Sequence, residues 1–132
     1  MPAKITTPVY TGNSAGNIRA SASLSASATA NYDVDYSTVI EAQIHVKNTP
    51  GGSVSGTRGL RIDIYRNYGS SPTLGQSPVM TYTLPSATAS TAESGDFYLS
   101  TGKYNIKITN LDAAQAVTVE ITGDTVDSVS TT

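Results

Sequence analysis

Residues 38–48 read TVIEAQIHVKN. Ile40, Ala42, Ile44 and Val46 fall on one side of this run, and Glu41, Gln43, His45 and Lys47 on the other. In a strand, successive side chains point to opposite faces, so strict alternation predicts one face in a core and one in water. On a helix the same order would scatter the apolar residues around the cylinder.

The pattern recurs along the chain. RGLRIDIYRN (58–67) sets Leu60, Ile62 and Ile64 against Arg61, Asp63 and Tyr65. VMTYTLP (79–85) is shorter, with Met80, Tyr82 and Leu84 sharing a face. GDFYLSTGKYNIKITN (95–110) gives Phe97 and Leu99, then Tyr104, Ile106 and Ile108, with a turn expected at Thr101-Gly102. AVTVEITG (116–123) sets Val117, Val119 and Ile121 against Thr118, Glu120 and Thr122. Stretches rich in Gly, Pro and Ser at 49–57, 67–78 and 85–95 read as loops, and the two longer ones suit Greek-key crossovers. NLDAAQ (110–115) reads as a short hairpin connection. No segment repeats apolar residues at helical spacing over three turns. The pattern therefore predicts an all-β chain. Its form is an antiparallel β-sandwich, Greek-key or jelly-roll-like, with six to eight strands and no substantial helix.

IRASASLSASATA (18–30) is the least ordinary run, alternating Ile18, Ala20, Ala22, Leu24, Ala26, Ala28 and Ala30 with Arg19, Ser21, Ser23, Ser25, Ser27 and Thr29. Ala has poor strand propensity and buries little surface, so such a strand needs support from elsewhere. Three readings stand: a strand of this domain, an arm added to a neighbouring subunit's sheet edge, or a flexible linker. The expected organisation is an N-terminal arm (1–16), a sandwich domain (17–123) and a C-terminal tail (124–132).

Composition narrows the function classes. The chain has 132 residues, a net charge of −2 and only 14% charged residues. Nucleic-acid binding needs a basic footprint, and a membrane-surface role needs a polybasic one; neither is present. Seventeen Ser and nineteen Thr make over a quarter of the chain hydroxyl-bearing. There is no Cys, which excludes disulfides and thiolate metal sites. No leader-like apolar run opens the sequence, which suggests a protein made in a cytosol and not exported by that route.

Candidate chemistry is sparse. His45, the single histidine, sits on the polar side of its strand beside Glu41, Gln43 and Lys47, which supply neither a nucleophile nor a metal cage. Asp33 and Asp35, flanked by Tyr32 and Tyr36, share one side of an extended segment but lack the oxygen count that calcium requires. Asp124 and Asp127 read as ordinary surface carboxylates. The glycines of TPGGSVSG lack the lysine and following helix of a phosphate loop. No catalytic, cofactor-binding or metal site is expected. Arg58, Arg61 and Arg66 bracket one strand, with Tyr65 and Tyr68 close by, and form the candidate interface, because Arg and Tyr are favoured in protein contacts.

DVDYSTVIEAQIHVKNT (33–49), RGLRIDIYRN (58–67) and STGKYNIKITNLDAAQAVTVEI (100–121), following the Ala/Ser strand, carry a resemblance over residues 17–123. In pattern the chain resembles the small β-sandwich structural proteins of tailed-bacteriophage virions, including decoration or cement proteins of the head. GKYNIKITNLDAAQAVTVEI (102–121) is similar to their final hairpin. The resemblance implies a non-enzymatic part of a virion, made in the host cytoplasm. As a capsid decoration or cement subunit it would bind the major capsid protein or other virion subunits by surface burial, as a homo-oligomer or in many copies. The alternative expectation is a carbohydrate-binding or adhesion sandwich, part of a host-recognition device in a tail or fibre. Its site would lie among the loops at 49–57, 67–78 and 85–95, with Tyr65, Tyr68 and Tyr98.

Overall fold

The structure is a computed structural model and describes residues 16–50, 59–67, 77–84 and 93–126. Six strands follow in chain order: β1 (Gly16–Leu24), β2 (Thr29–Pro50), β3 (Leu60–Arg66), β4 (Met80–Leu84), β5 (Glu93–Asn110) and β6 (Val117–Val126). Every pairing is antiparallel, in the order β1-β6-β2-β5-β3-β4. Among the described residues there is no helix.

Two strands are too long for one flat layer. β2 has 22 residues and β5 has 18, and their mutual register slips between Tyr36 and Glu41. Before the slip, Thr29–Tyr36 of β2 pairs with Gly102–Thr109 of β5; after it, Glu41–Asn48 pairs with Glu93–Ser100. Four residues of β2 oppose one residue of β5 at that point, so the paired strands must bend together there. The single sheet thereby folds into two layers. One layer runs β1, β6, the second half of β2 and the first half of β5. The other runs the first half of β2, the second half of β5, β3 and β4. This is the sandwich that the alternation predicts, with two strands shared between its layers.

The inner faces are the predicted ones for the most part. Ala42, Ile44, Val46, Val119 and Ile121 of the first layer are fully shielded, as are Leu60, Ile64, Ile106 and Ile108 of the second. Each buried branched side chain contributes about 1.5–3 kcal/mol. Ile40, placed on the apolar face by its phase, is instead half exposed (50%), because it lies in the bend, where the strand leaves one layer for the other.

Several local expectations are corrected. Thr101-Gly102 is no turn between strands: β5 continues through it, with Gly102 at φ +150° absorbing the bend. Asn110–Gln115 is no hairpin either. β5 and β6 do not pair, since β2 lies between them, and the connection arches from one layer to the other. Asn110 shapes that arch. Its side-chain NH2 donates to the carbonyls of Leu24, Ser25 and Gln115, and its Oδ1 accepts the Asp112 amide. Asp112 Oδ1 in turn accepts the amides of Ala114 and Gln115, an Asx-type turn. The 67–78 segment joins the adjacent strands β3 and β4, so it is not a crossover; the 85–92 segment does change layers.

The Ala/Ser run divides as well. β1 ends at Leu24, the chain turns through Ser25–Ala28 with Ser27 at φ 57°, and β2 begins at Thr29. β1 pairs with β6 of its own domain, so 18–24 is neither a linker nor an arm on a neighbour. Two register slips accompany the exposure of Ala20 and Ala22, and the expected face packs against the core at Ile18, Leu24, Ala28 and Ala30. Arg19 supplies the support that Ala cannot. Its guanidinium donates to the carbonyls of Val119, Ala22 and Ser23 and to the hydroxyl of Tyr32 in the opposite layer. At the other end, β6 continues to Val126, so Asp124–Val126, expected in the tail, belong to the sheet. The expected arm up to Ala15 and the tail from Asp127 lie outside the described residues.

Candidate functional site

The outer face of the first layer gathers the polar side of β2 with its neighbours. Antiparallel register sets His45 opposite Asp96 of β5 and opposite Thr122 of β6, one diagonal step from Asp124. The imidazole uses both nitrogens: Nδ1 lies 2.6 Å from Asp96 Oδ1 and Nε2 lies 3.1 Å from Asp124 Oδ2. The hydrogen bond to Asp96 raises the His45 pKa above the ordinary imidazole value. Desolvation opposes it, and Asp124 adds a second upward push. As an imidazolium, His45 donates to both carboxylates and clamps three strands together. Its chemistry is spent on that clamp, because neither nitrogen is left to serve as a base. Among the described residues, no three His, Asp or Glu side chains are arranged to hold a metal ion. One step along, Gln43 Nε2 donates to the hydroxyl of Tyr98 at 2.9 Å.

Beside this face the sandwich is open. The first half of β5 is the last strand of one layer, and β4 is the last strand of the other. A groove runs between these two edges. Its first part, about 300 Å³, is lined by Met80, Thr81, Tyr82, Gly95, Asp96 and Phe97. A second cavity, about 200 Å³, adjoins it at Met80 and is lined also by Val79, Arg66, Tyr98, Leu99, Ser100 and Tyr104. Tyr82 stands edge-on to Phe97, with ring centroids 5.7 Å apart, across the gap between the layers. Tyr82 is 47% exposed, Tyr98 61% and Val79 56%. The groove thus offers aromatic and aliphatic walls with a carboxylate, an amide-bound phenol and a guanidinium along its rim, the usual make-up of a small-ligand site.

Of the five residues of the candidate interface, the three that are described do not share one face. Arg58 and Tyr68 lie outside the described residues. Arg61 and Tyr65 share the outer face of the second layer, where Arg61 Nε pairs with Asp63 Oδ2 at 3.1 Å. Asp63, expected in water, is only 2% exposed and also accepts the Thr81 hydroxyl. Arg66 has the opposite phase on β3, that of Leu60, Ile62 and Ile64, and therefore turns into the groove. Its guanidinium carbon lies 5.0 Å from the centre of the Tyr104 ring.

Asp33 and Asp35 point outward from β2 as expected. Asp33 accepts the Asn105 amide, and Asp35 accepts the hydroxyl and amide of Ser37 at the bend. Those bonds to Ser37 hold the Asp35 carboxyl below its ordinary pKa. The sequence reading missed Asp96, Asp124, Gln43 and Tyr82 as site residues. Only the pairing of β2 with β5 and β6 assembles the first three, and the facing of β4 against β5 supplies the fourth.

No protein-family model matches this chain, and no curated protein matches it. Solved structures do. The chain is similar to a family 16 carbohydrate-binding module (11% identity, 85% of this chain and 75% of the other, TM-score 0.41). It is similar to a CBM4 structure (11% identity, 98% and 77%, TM-score 0.45). It is also similar to the enzymatically active domain of tailspike protein 4 of bacteriophage CBA120 (10% identity, 80% of this chain and 15% of the other, TM-score 0.50).

Proposed function

We propose that this chain is a non-catalytic carbohydrate-binding sandwich and that the groove between β4 and β5 is its glycan site. The observation that carries the reading is the pair of exposed tyrosines, Tyr82 and Tyr98, along one groove that Asp96 also lines, with the Tyr98 hydroxyl held by the Gln43 amide. A sugar ring has an apolar C–H face that packs on an aromatic ring, and hydroxyls that bond to carboxylates and amides. Three of the four large apolar side chains exposed among the described residues (Val79, Tyr82 and Tyr98) line this groove. A subunit that binds a capsid by surface burial needs a broader apolar face than one groove provides. The sequence resemblance to virion proteins accommodates the glycan reading if the chain serves host recognition on a phage particle.

The test is a glycan array on the purified chain, followed by calorimetry with the best binder. Tyr98→Ala and Tyr82→Ala, both at exposed positions, are expected to fold normally and to lose roughly tenfold or more in affinity. A blank array, or a binder indifferent to both substitutions, overturns the proposal.

A further inference from the structure

We infer that the Arg66 end of the groove is a subsite for the carboxylate of an acidic sugar. The inference rests on the glycan reading and names the ligand class within it. Arg66 is held in place from three sides. Its guanidinium stacks on Tyr104 at 5.0 Å, one nitrogen donates to the Thr101 carbonyl over a long 3.4 Å, and Gly102 leaves the space it occupies. A Cβ at Gly102 would sit 2.3 Å from that nitrogen, so the strand gives up a side chain where the guanidinium lies.

The charge itself is unspent. Among the described residues Arg66 makes no ion pair, whereas Arg61 is committed to Asp63 and Arg19 to three carbonyls and a phenol. A guanidinium presents five donors in a planar fork that matches a carboxylate, and here one weak bond leaves the others available. The walls beside it, Val79, Leu99, Tyr98 and Tyr104, are mainly apolar, which strengthens an ion pair formed there relative to one in open water. At the other end of the groove stands Asp96, already bound to His45. A ligand with one carboxylate is therefore oriented, with its anionic group toward Arg66 and its neutral hydroxyls toward Asp96.

Affinity electrophoresis or calorimetry with polygalacturonate, with the same polymer after carboxyl reduction, and with a neutral glucan tests this. The wild-type chain is expected to bind the acidic polymer at least tenfold more tightly than its reduced form, with an affinity that falls as salt rises. Arg66→Gln is expected to lower binding to the acidic polymer at least fivefold more than binding to the reduced polymer. Arg66→Lys keeps the charge without the fork and falls between. Equal wild-type binding to acidic and reduced polymers overturns the subsite but leaves the glycan site standing. So does an Arg66→Gln loss shared equally by both polymers. Failure of all three polymers, together with a blank array, overturns both. Far-UV circular dichroism and urea midpoints confirm that each variant is folded.

Discussion

Asn110→Leu tests whether the arch between the layers depends on one side chain. Asn110 is 1% exposed, and its amide serves four backbone groups from two segments. Leu keeps the branched skeleton of Asn but carries two bulkier methyl groups, so the substitution removes the hydrogen bonds, opens no cavity and adds some overpacking strain. Two of the four bonds are fully buried: the one to the Leu24 carbonyl and the one from the Asp112 amide. Each orphaned backbone group costs about 1–3 kcal/mol when water cannot reach it. The bonds to Ser25 and Gln115 are only partly buried, and water can replace them at small loss. The expected destabilisation is thus about 2–6 kcal/mol, a large share of the roughly 5–15 kcal/mol that holds a domain of this size. Urea unfolding followed by tyrosine fluorescence is a suitable assay, since the chain has eight Tyr and no Trp. With a slope of about 2 kcal/mol per molar urea, the midpoint should fall by about 2 M. A loss below about 1 kcal/mol at unchanged slope would refute the reasoning, because the buried carbonyl and amide would then have found other partners.

Two further outcomes follow from the bends and the clamp. His45 has a raised pKa in the fold, so its contribution to stability is complete below the unfolded value near 6.5 and is lost as pH rises through the folded value. The wild-type unfolding free energy, read from the urea midpoint, should therefore decline across that window, by no more than about 1 kcal/mol for so exposed a pair, and His45→Gln should flatten the decline. A midpoint that rises over the same window would contradict the clamp. Gly102→Ala should cost about 1–3 kcal/mol, since an L side chain rarely adopts φ +150° and the new Cβ meets Arg66. Unchanged stability in thermal melts would show that the bend tolerates a side chain.

Much of the fold was legible because alternation reports faces. Ile44, Val46, Ile62, Ile106, Val119 and Ile121 are buried where their phase put them. What alternation cannot report is which strands are neighbours. A turn and a bend both interrupt the period, and β5 shows how they differ. Its buried apolar residues fall on odd numbers at Phe97 and Leu99, and on even numbers from Tyr104 to Ile108. That slip of phase, with a glycine at the seam, is the mark of a bulged continuous strand; read alone, Thr-Gly suggested a hairpin. At Asn110–Gln115 the sequence held no clue of that kind. Asn and Asp favour any tight turn, and only the interposition of β2 makes this one an arch.

The candidate site is a consequence of the same bends, which is why so little of it was legible. Had β2 and β5 stayed straight, the first half of β5 would have remained in one flat layer, and Tyr98 would have been one more solvated strand residue. Because both strands cross between layers, β5 is central in one layer and terminal in the other. Its terminal half then faces β4, the terminal strand of the opposite layer, and the space between those edges is the groove. Arg66 depends on the bend twice. It sits at the end of β3, opposite Tyr104, just past the seam, and its guanidinium occupies the room that Gly102 leaves at the seam. The residue that lets the strand change layers is thus also the one that lets a cation stand in the groove. A substitution at Gly102 should for that reason impair ligand discrimination together with stability, while one at Tyr82, on the far side of the groove, should impair binding alone.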